Sequence, residues 1–344
     1  MPPLSSPLCD VLGIDHPVIQ APIGSVSCPE LAAAVSNAGG LGTLAVTWRD
    51  LDRTRASIRE TRALTDEPFG VNLVLDEATT ERPTDEHLDA VLDEGVDAVS
   101  FSFGDAGPYV DRVRDAGAVA MVTVGSADEA ERALDAGADV LVAQGWEAGG
   151  HVQSEVATMP LVPRVVDTVA DAGVEVPVVA AGGIADGRGL AATLALGGDG
   201  VWLGTRFVAT EEAAAHEDYT DRIVDADADE TLYSELFDGG WPGQPHRTLR
   251  NETVEAWLEA GRPEPGERPG EGESVAEYPG GQSVDRYDDD PPLPAVTGDV
   301  EAMAMYAGQS AGLTGEQRPA GTVVSEVVAG AAQRIEDLSQ AAGE

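Results

Sequence analysis

The chain has 344 residues, enough for one large domain or for one domain with a smaller companion. It carries 20 basic against 62 acidic residues, a formal charge of −42, and every basic residue is arginine. That balance argues against DNA, RNA and anionic membranes as partners, and the absence of lysine excludes Schiff-base chemistry.

Hydrophobic residues make up 42% and aromatics only 5%, so the core must come from Ala, Val, Leu and Ile. No apolar run approaches the roughly 18 residues of a membrane helix. Residues 1–13, "MPPLSSPLCDVLG", lack the basic and apolar parts of a signal peptide. A soluble, cytoplasmic protein is expected. The two cysteines and five histidines are too scattered for a metal site, so none is expected. Cys28, just before a helix start, reads as a small buried side chain rather than a nucleophile.

From the N-terminus to about residue 207 the text alternates. Eight short β-branched runs appear: "HPVIQA", "GLGTLAV", "PFGVNLV", "VDAVSFS", "AVAMVTV", "ADVLVAQ", "VPVVAAGG" and "GVWLGT". Between them the spacing predicts helices over 28–38, 50–64, 84–93, 108–116, 127–136, 160–172 and 187–196. Eight strands alternating with helices in this length fit a (β/α)8 TIM barrel better than an open sheet. In "VSNAGGLGTL", Gly39, Gly40 and Gly42 follow a helix and precede a strand. That is the reverse of a dinucleotide fingerprint, and they read as a helix stop and close packing.

After residue 210 the text becomes acidic and rich in Pro and Gly, although "TLRNETVEAWLEAG" reads as a helix. Helical text resumes with "GDVEAMAMYAGQSAGL", and "AGTVVSEVVAGAAQRIEDLSQ" reads as a last barrel helix. The expected organisation is a barrel over 1–210, a smaller inserted domain over 211–300, and closing barrel helices over 301–344.

In a barrel, chemistry sits at the C-terminal strand ends. Here those ends are glycine-rich and nearly uncharged, which suits a flat ring lying against backbone. Gly182 and Gly183 in "AAGGI", and Gly204 and Thr205 in "WLGTRF", fall on strands 7 and 8. There, backbone amides commonly hold phosphate. Gln144 ends strand 6 and is expected to hydrogen-bond the polar edge of the ring. Gly149 and Gly150 let the backbone close on it. His151 then faces the open side as the general acid or base, with Glu147 as its nearest orienting acid. Asn72, polar within an apolar run, is expected to bond the ring edge. His16, His87, His216 and His246 lie in acidic or turn text and read as structural.

The stretches "PVIQAPIGSVSCPELAAAVSNAGGLGTL", "QGWEAGGH", "VVAAGGIADGRG" and "WLGTRF" resemble the nitronate monooxygenase family, formerly 2-nitropropane dioxygenases. "RTLRNETVEAW" and "TGDVEAMAMYAGQSAGL" extend the likeness over nearly the whole chain. The resemblance implies an FMN-bearing barrel that oxidises alkyl nitronates with O2 to a carbonyl compound and nitrite. It implies FMN contacts at Pro22, Ile23, Asn72, Gln144, Gly149, Gly182, Gly183, Trp202, Leu203, Gly204 and Thr205. His151 is implied as the base when the substrate is a neutral nitroalkane. Ile23 and Gly24 replace the family's usual Met and Ala near the flavin, and Trp146 its usual Phe. Quinone reductases using NAD(P)H and enoyl-acyl-carrier-protein reductases share the "EAGGH" and "AAGGI" motifs and stay open as alternatives, as does a flavin carrier without turnover. A homo-oligomer stays open as well.

A charge of −42 far exceeds the magnitude of about 2–8 usual for a small domain. Molar salt shortens electrostatic screening to about 3 Å and relieves the self-repulsion. The melting temperature is therefore expected to rise steeply from low to molar salt, as a halophilic protein requires. Equal stability at both ends of a salt titration contradicts this.

Overall fold

A computed structural model describes residues 4–76, 78 and 82–343. Residues 1–3 of the leader reading above lie outside the described residues. Eight parallel strands form the central sheet: β1 (Val18–Gln20), β2 (Gly42–Ala45), β3 (Phe69–Val74), β4 (Ala98–Ser102), β5 (Val119–Val124), β6 (Val140–Gln144), β7 (Val178–Ala181) and β8 (Gly200–Leu203). Their spatial order is β1-β8-β7-β6-β5-β4-β3-β2. The ring closes where Ile19 bridges Leu41 in parallel, with the Gln20 amide donating to the Leu41 carbonyl at 2.9 Å. This is the TIM barrel that the alternating pattern predicts.

Seven helices connect the strands: α2 (Pro29–Asn37), α3 (Leu51–Leu64), α4 (Thr84–Asp93), α5 (Gly107–Asp115), α6 (Ala127–Asp135), α7 (Thr158–Ala172) and α8 (Gly187–Ala195). Their starts are chemically marked. Asp50, Ser126 and Asp186 each cap a helix by accepting a first-turn amide. The period-2 alternation of the strands sorts side chains into two layers. Val71, Val99, Leu141, Val201 and Leu203 face outward onto helix residues such as Leu31, Val91, Val110 and Leu190. Ile19, Met121, Val140, Val179 and Trp202 face inward. The first helix, α1 (Pro7–Leu12), adds Leu8 and Leu12 to that inner layer and plugs one end of the barrel. The other end stays open for the site.

Gly42 confirms the close-packing reading of "AGGLG": an added Cβ there would lie 1.9 Å from the Ala32 carbonyl oxygen. Cys28 precedes α2 in a partly buried position, with its thiol donating to the Glu212 carbonyl at 3.1 Å rather than capping the helix. Burial pushes that thiol up, away from thiolate chemistry.

Beyond a short turn, α9 (Thr205–Val208), the chain builds a layer over the open end. It contains α10 (Glu217–Asp225), α11 (Glu252–Glu259), an antiparallel pair β9 (Thr231–Ser234) and β10 (His246–Leu249), and a hairpin β11 (Ser274–Tyr278) and β12 (Gln282–Asp285). The last helix, α12 (Ala320–Gly343), returns to the barrel wall and packs on α8 and α2.

One expectation fails. The 298–313 stretch is not a helix but an extended thread with short 3-10 turns at Val300–Ala302 and Gln309–Leu313. Ala302, Met303, Ala304, Met305 and Ala307 are all buried, so its middle shows no strand alternation. It runs beside β10 instead: Thr248 bridges Tyr306, and the Leu249 amide donates to the Met305 carbonyl at 2.8 Å.

Gly187, on α8, lies against α12: an added Cβ would sit 2.2 Å from the Ala331 nitrogen and 2.6 Å from the Val327 oxygen. Backbone cannot rotate out of the way. Gly187→Ala is expected to destabilise the protein by about 1–3 kcal/mol or more through overpacking. An unchanged urea midpoint contradicts the α8–α12 contact.

Candidate active site

A cavity of about 280 Å³ opens at the C-terminal ends of the barrel strands, beneath the added layer. The inward positions of the strand tops supply Ala45, Asn72, Thr123, Gln144, Ala181 and Trp202 to its floor. These are small or polar groups, and among the described residues no arginine lines it.

His151 stands on the wall between barrel and cap. Its position is fixed by backbone. Gly150 and His151 form a short strand that pairs antiparallel with β10, His151 opposite His246 and Gly150 opposite Arg247. Gln144 clamps the same loop from below: its Nε2 donates to the His151 carbonyl at 3.2 Å, and its Oε1 accepts the Gln153 amide at 2.7 Å. Arg247 clamps it from above, donating to the Trp146 carbonyl at 2.9 Å with its guanidinium 4.2 Å from the Trp146 ring centre. Gly150 has φ +70°, and an added Cβ would meet nothing within 4 Å. Gly149 differs: its Cβ would lie 2.2 Å from the Gly308 nitrogen, so the 307–308 backbone occupies that space.

The His151 ring lies 4.5 Å from Trp241 and 5.5 Å from both Tyr306 and His246, centre to centre. Its Nε2 is buried with no hydrogen-bond partner among the described residues. Burial, reinforced by the neighbouring His246, lowers its pKa to about 3. His246 is locked neutral by its bonds. Its Nε2 accepts the Phe237 amide at 3.1 Å, so its Nδ1 carries the proton and donates to the Gln244 carbonyl at 3.1 Å. Burial lowers His246 to about 4. Trp241 is held in place by an Nε1 bond to Asp76 at 2.8 Å and an edge contact with Phe103 at 4.9 Å.

At the opposite side of the cavity lie the turns after β7 and β8. Gly182 and Gly183 adopt φ +101° and +72°. Among the described residues the amides of Gly183, Gly204 and Thr205 have no backbone acceptor. Thr205 Oγ1 accepts the Gly308 amide at 2.9 Å, which draws the "AGQSAGL" thread, with Ser310, to this end of the cavity.

Eleven of the twelve residues expected at the site therefore meet in one cavity: Pro22, Ile23, Asn72, Gln144, Gly149, His151, Gly182, Gly183, Trp202, Gly204 and Thr205. Leu203 does not line it. One residue beyond inward-facing Trp202, its side chain turns into the helix layer. Two details also differ from expectation. Glu147 does not orient His151; its carboxylate accepts the amide and hydroxyl of Thr158 at 2.8 and 2.9 Å and stabilises the start of α7. His246, read as structural, is held by two backbone bonds and also stands beside His151. Trp241, Tyr306, Phe103, Asp289 and Asp290 also line the cavity, and motif reading missed them. Only Trp241, large and apolar amid "DGGWPGQPH", carried a signal.

Both histidines are neutral in the folded chain and take up protons on unfolding. Their contribution is complete above about pH 6.5 and is lost as the pH falls toward about 4 for His246 and about 3 for His151. Each loses up to about 1.4 kcal/mol per pH unit in that window. His246→Gln is expected to lose less stability than wild type between pH 6.5 and 4.5, by on the order of 2 kcal/mol, in urea unfolding. Equal losses contradict the neutral, buried assignment.

Comparison with known proteins agrees with this geometry. A family model described as nitronate monooxygenase matches residues 5–330. Over 258 residues the chain is 41% identical to (3aS,4S,5R,7aS)-5-hydroxy-7a-methyl-1-oxo-octahydro-1H-indene-4-carboxyl-CoA dehydrogenase of Mycobacterium tuberculosis, spanning 75% of this chain and 69% of that protein. It is 32% identical to the nitronate monooxygenase of Paraburkholderia phytofirmans over 97% of both chains. The solved structure of FabK from Thermotoga maritima superposes with a TM-score of 0.79 at 30% identity, covering 97% and 98% of the two chains. With a match that runs through the barrel, the histidine loop and the cap, the chain belongs to the nitronate monooxygenase family of oxidoreductases.

Proposed function

We propose that the chain binds FMN in the barrel mouth and oxidises nitroalkanes, as their nitronates, with O2 to a carbonyl compound and nitrite. The observation that carries this reading is the buried Nε2 of His151. It is a proton acceptor without a partner among the described residues, on a residue that lines a cavity in which, among the described residues, no arginine stands and the amides of Gly183, Gly204 and Thr205 have no backbone acceptor.

The residues present fit FMN. The amides of Gly183, Gly204 and Thr205 would hold the phosphate without a cationic side chain. Asn72 donates to the carbonyl and hydroxyl of Ser100 at 3.1 and 3.0 Å, which fixes its amide on the cavity wall toward a ring edge. Pro22, Ile23, Gly149, Gly150 and Trp202 give flat or side-chain-poor surface for the ring. When bound, FMN supplies reversible electron transfer with carbon substrates and with O2.

His151 does the proton chemistry. A neutral imidazole with a free Nε2 takes the α-proton of a nitroalkane. The low pKa comes from burial and the neighbouring His246, and negative charge formed beside the ring raises it as the proton arrives. Trp241 and Tyr306 shield the ring from water, while Gln144 and β10 keep it at a fixed depth. A nicotinamide-dependent reductase or dehydrogenase on the same scaffold is the second reading, supported by the 41% identity to the mycobacterial dehydrogenase.

General-base catalysis is worth about 10²–10⁴-fold. In FMN-loaded protein at molar salt, His151→Ala is expected to lower kcat/KM for neutral nitroethane at least 100-fold. Its effect on preformed ethyl nitronate should be far smaller, because that proton is already gone. Equal losses on both forms contradict the base assignment, and turnover only with NADH moves the protein to the reductase reading.

A further inference from the structure

The charged side chains lining the cavity, among the described residues, are Asp289 and Asp290. They come from the "DDDPPLP" stretch after β12, which no motif absorbed. Asp289 is seated, not free at a rim. Its Oδ1 and Oδ2 would lie 2.2 and 2.5 Å from a Cβ on Gly240, so only glycine permits the carboxylate to rest on that backbone. Gly240 adjoins Trp241, whose ring stacks on His151. The Tyr306 hydroxyl donates to the Asp289 carbonyl at 3.0 Å, and the Tyr306 ring also abuts His151. The acidic pair and the proton acceptor therefore share one wall of one cavity.

Among the described residues neither carboxylate is ion-paired with an arginine. The ion pairs among the described residues run elsewhere, including Arg268 with Asp238 and Glu271, and Arg286 with Glu252 and Glu273 on the same cap. Burial, together with mutual repulsion among Asp288, Asp289 and Asp290, raises both carboxyls, Asp289 to about 6. Two half-buried carboxylates without a counter-charge form a negative end to a cavity that otherwise carries no charge. Like charge placed against them is strongly disfavoured, and half-buried charges are screened by salt less than exposed ones.

We propose that Asp289 and Asp290 select substrates by the charge of the end remote from the nitro group, admitting neutral and ammonium-bearing nitroalkanes and rejecting carboxylate-bearing ones. The inference rests on the nitro-compound reading of the same cavity and deepens it to a substrate class.

The test uses three probes of matched length: 1-nitropentane, 4-nitrobutan-1-amine and 4-nitrobutanoate. Binding to the FMN-loaded protein is read by quenching of tryptophan fluorescence, since Trp48, Trp202 and Trp241 line the cavity. Nitrite release is measured in parallel. The ammonium probe is expected to bind at least tenfold more tightly than the carboxylate probe. The double substitution Asp289→Asn and Asp290→Asn is expected to reduce that ratio at least fivefold. Asparagine keeps the acceptor over Gly240; should the double variant fail to fold, Asp290→Asn alone and the wild-type ratio still decide. A wild-type ratio near one, or a ratio unchanged by the substitutions, overturns the inference. The expected binding order without nitrite from any probe sinks the oxidation reading and leaves the charge selection standing. Nitrite from all three with equal affinities does the reverse.

Discussion

The site depends on one backbone contact. Gly149 and Gly308 approach so closely that neither tolerates a Cβ: Gly149's would meet the Gly308 nitrogen, and Gly308's the Glu147 oxygen and Gly149 nitrogen at 2.7 Å. This locks the loop after β6 to the thread returning from the cap. From that lock follow the strand pairing of His151 with His246, the placing of Tyr306 beside both rings, and the Gly308 bond to Thr205 at the other side of the cavity. Barrel and cap are therefore not a scaffold and an ornament. The histidine is held by both, and the cavity exists only where they meet.

Electrostatics follow from that enclosure. Burial keeps both imidazoles neutral, and His246 is further committed by two backbone bonds. Of these two, among the described residues, only His151 keeps a buried nitrogen without a partner. A chain so rich in acid places a neutral proton acceptor in its cavity and packs rings against it. Many of its arginines form ion pairs on the exterior, for example Arg59 with Glu94 and Arg112 with Asp85 and Asp89.

The barrel was legible because its signals are local. Strand alternation, helix spacing and capping residues act within a few positions, and the seven connecting helices fall within one or two residues of their expected bounds. The strand-end glycines and His151 were legible for the same reason. Leu203 was misplaced because a motif was read as a block, whereas the strand turns alternate residues to opposite faces. Glu147 was misassigned because nearness in sequence is not nearness of side chains: its carboxylate reaches α7, 11 residues on. His246, Trp241, Tyr306 and the acidic pair come from segments 90 or more residues from His151. Their arrangement is set by long-range pairing that no window reveals. The 298–313 thread misled because its middle, from Ala302 to Met305, is buried on successive residues and so shows no strand period.

The central claim is that glycine turns and a buried histidine frame a flavin site. The most direct measurement is the flavin content of the protein purified in molar salt and incubated with FMN, read from its visible spectrum after gel filtration. The account predicts close to one FMN per chain in the wild type. It also predicts marked loss in Gly149→Ala, where the added Cβ forces the 307–308 thread away from Thr205. Wild-type protein that emerges colourless, or a Gly149→Ala variant that holds FMN as well as wild type, would contradict it.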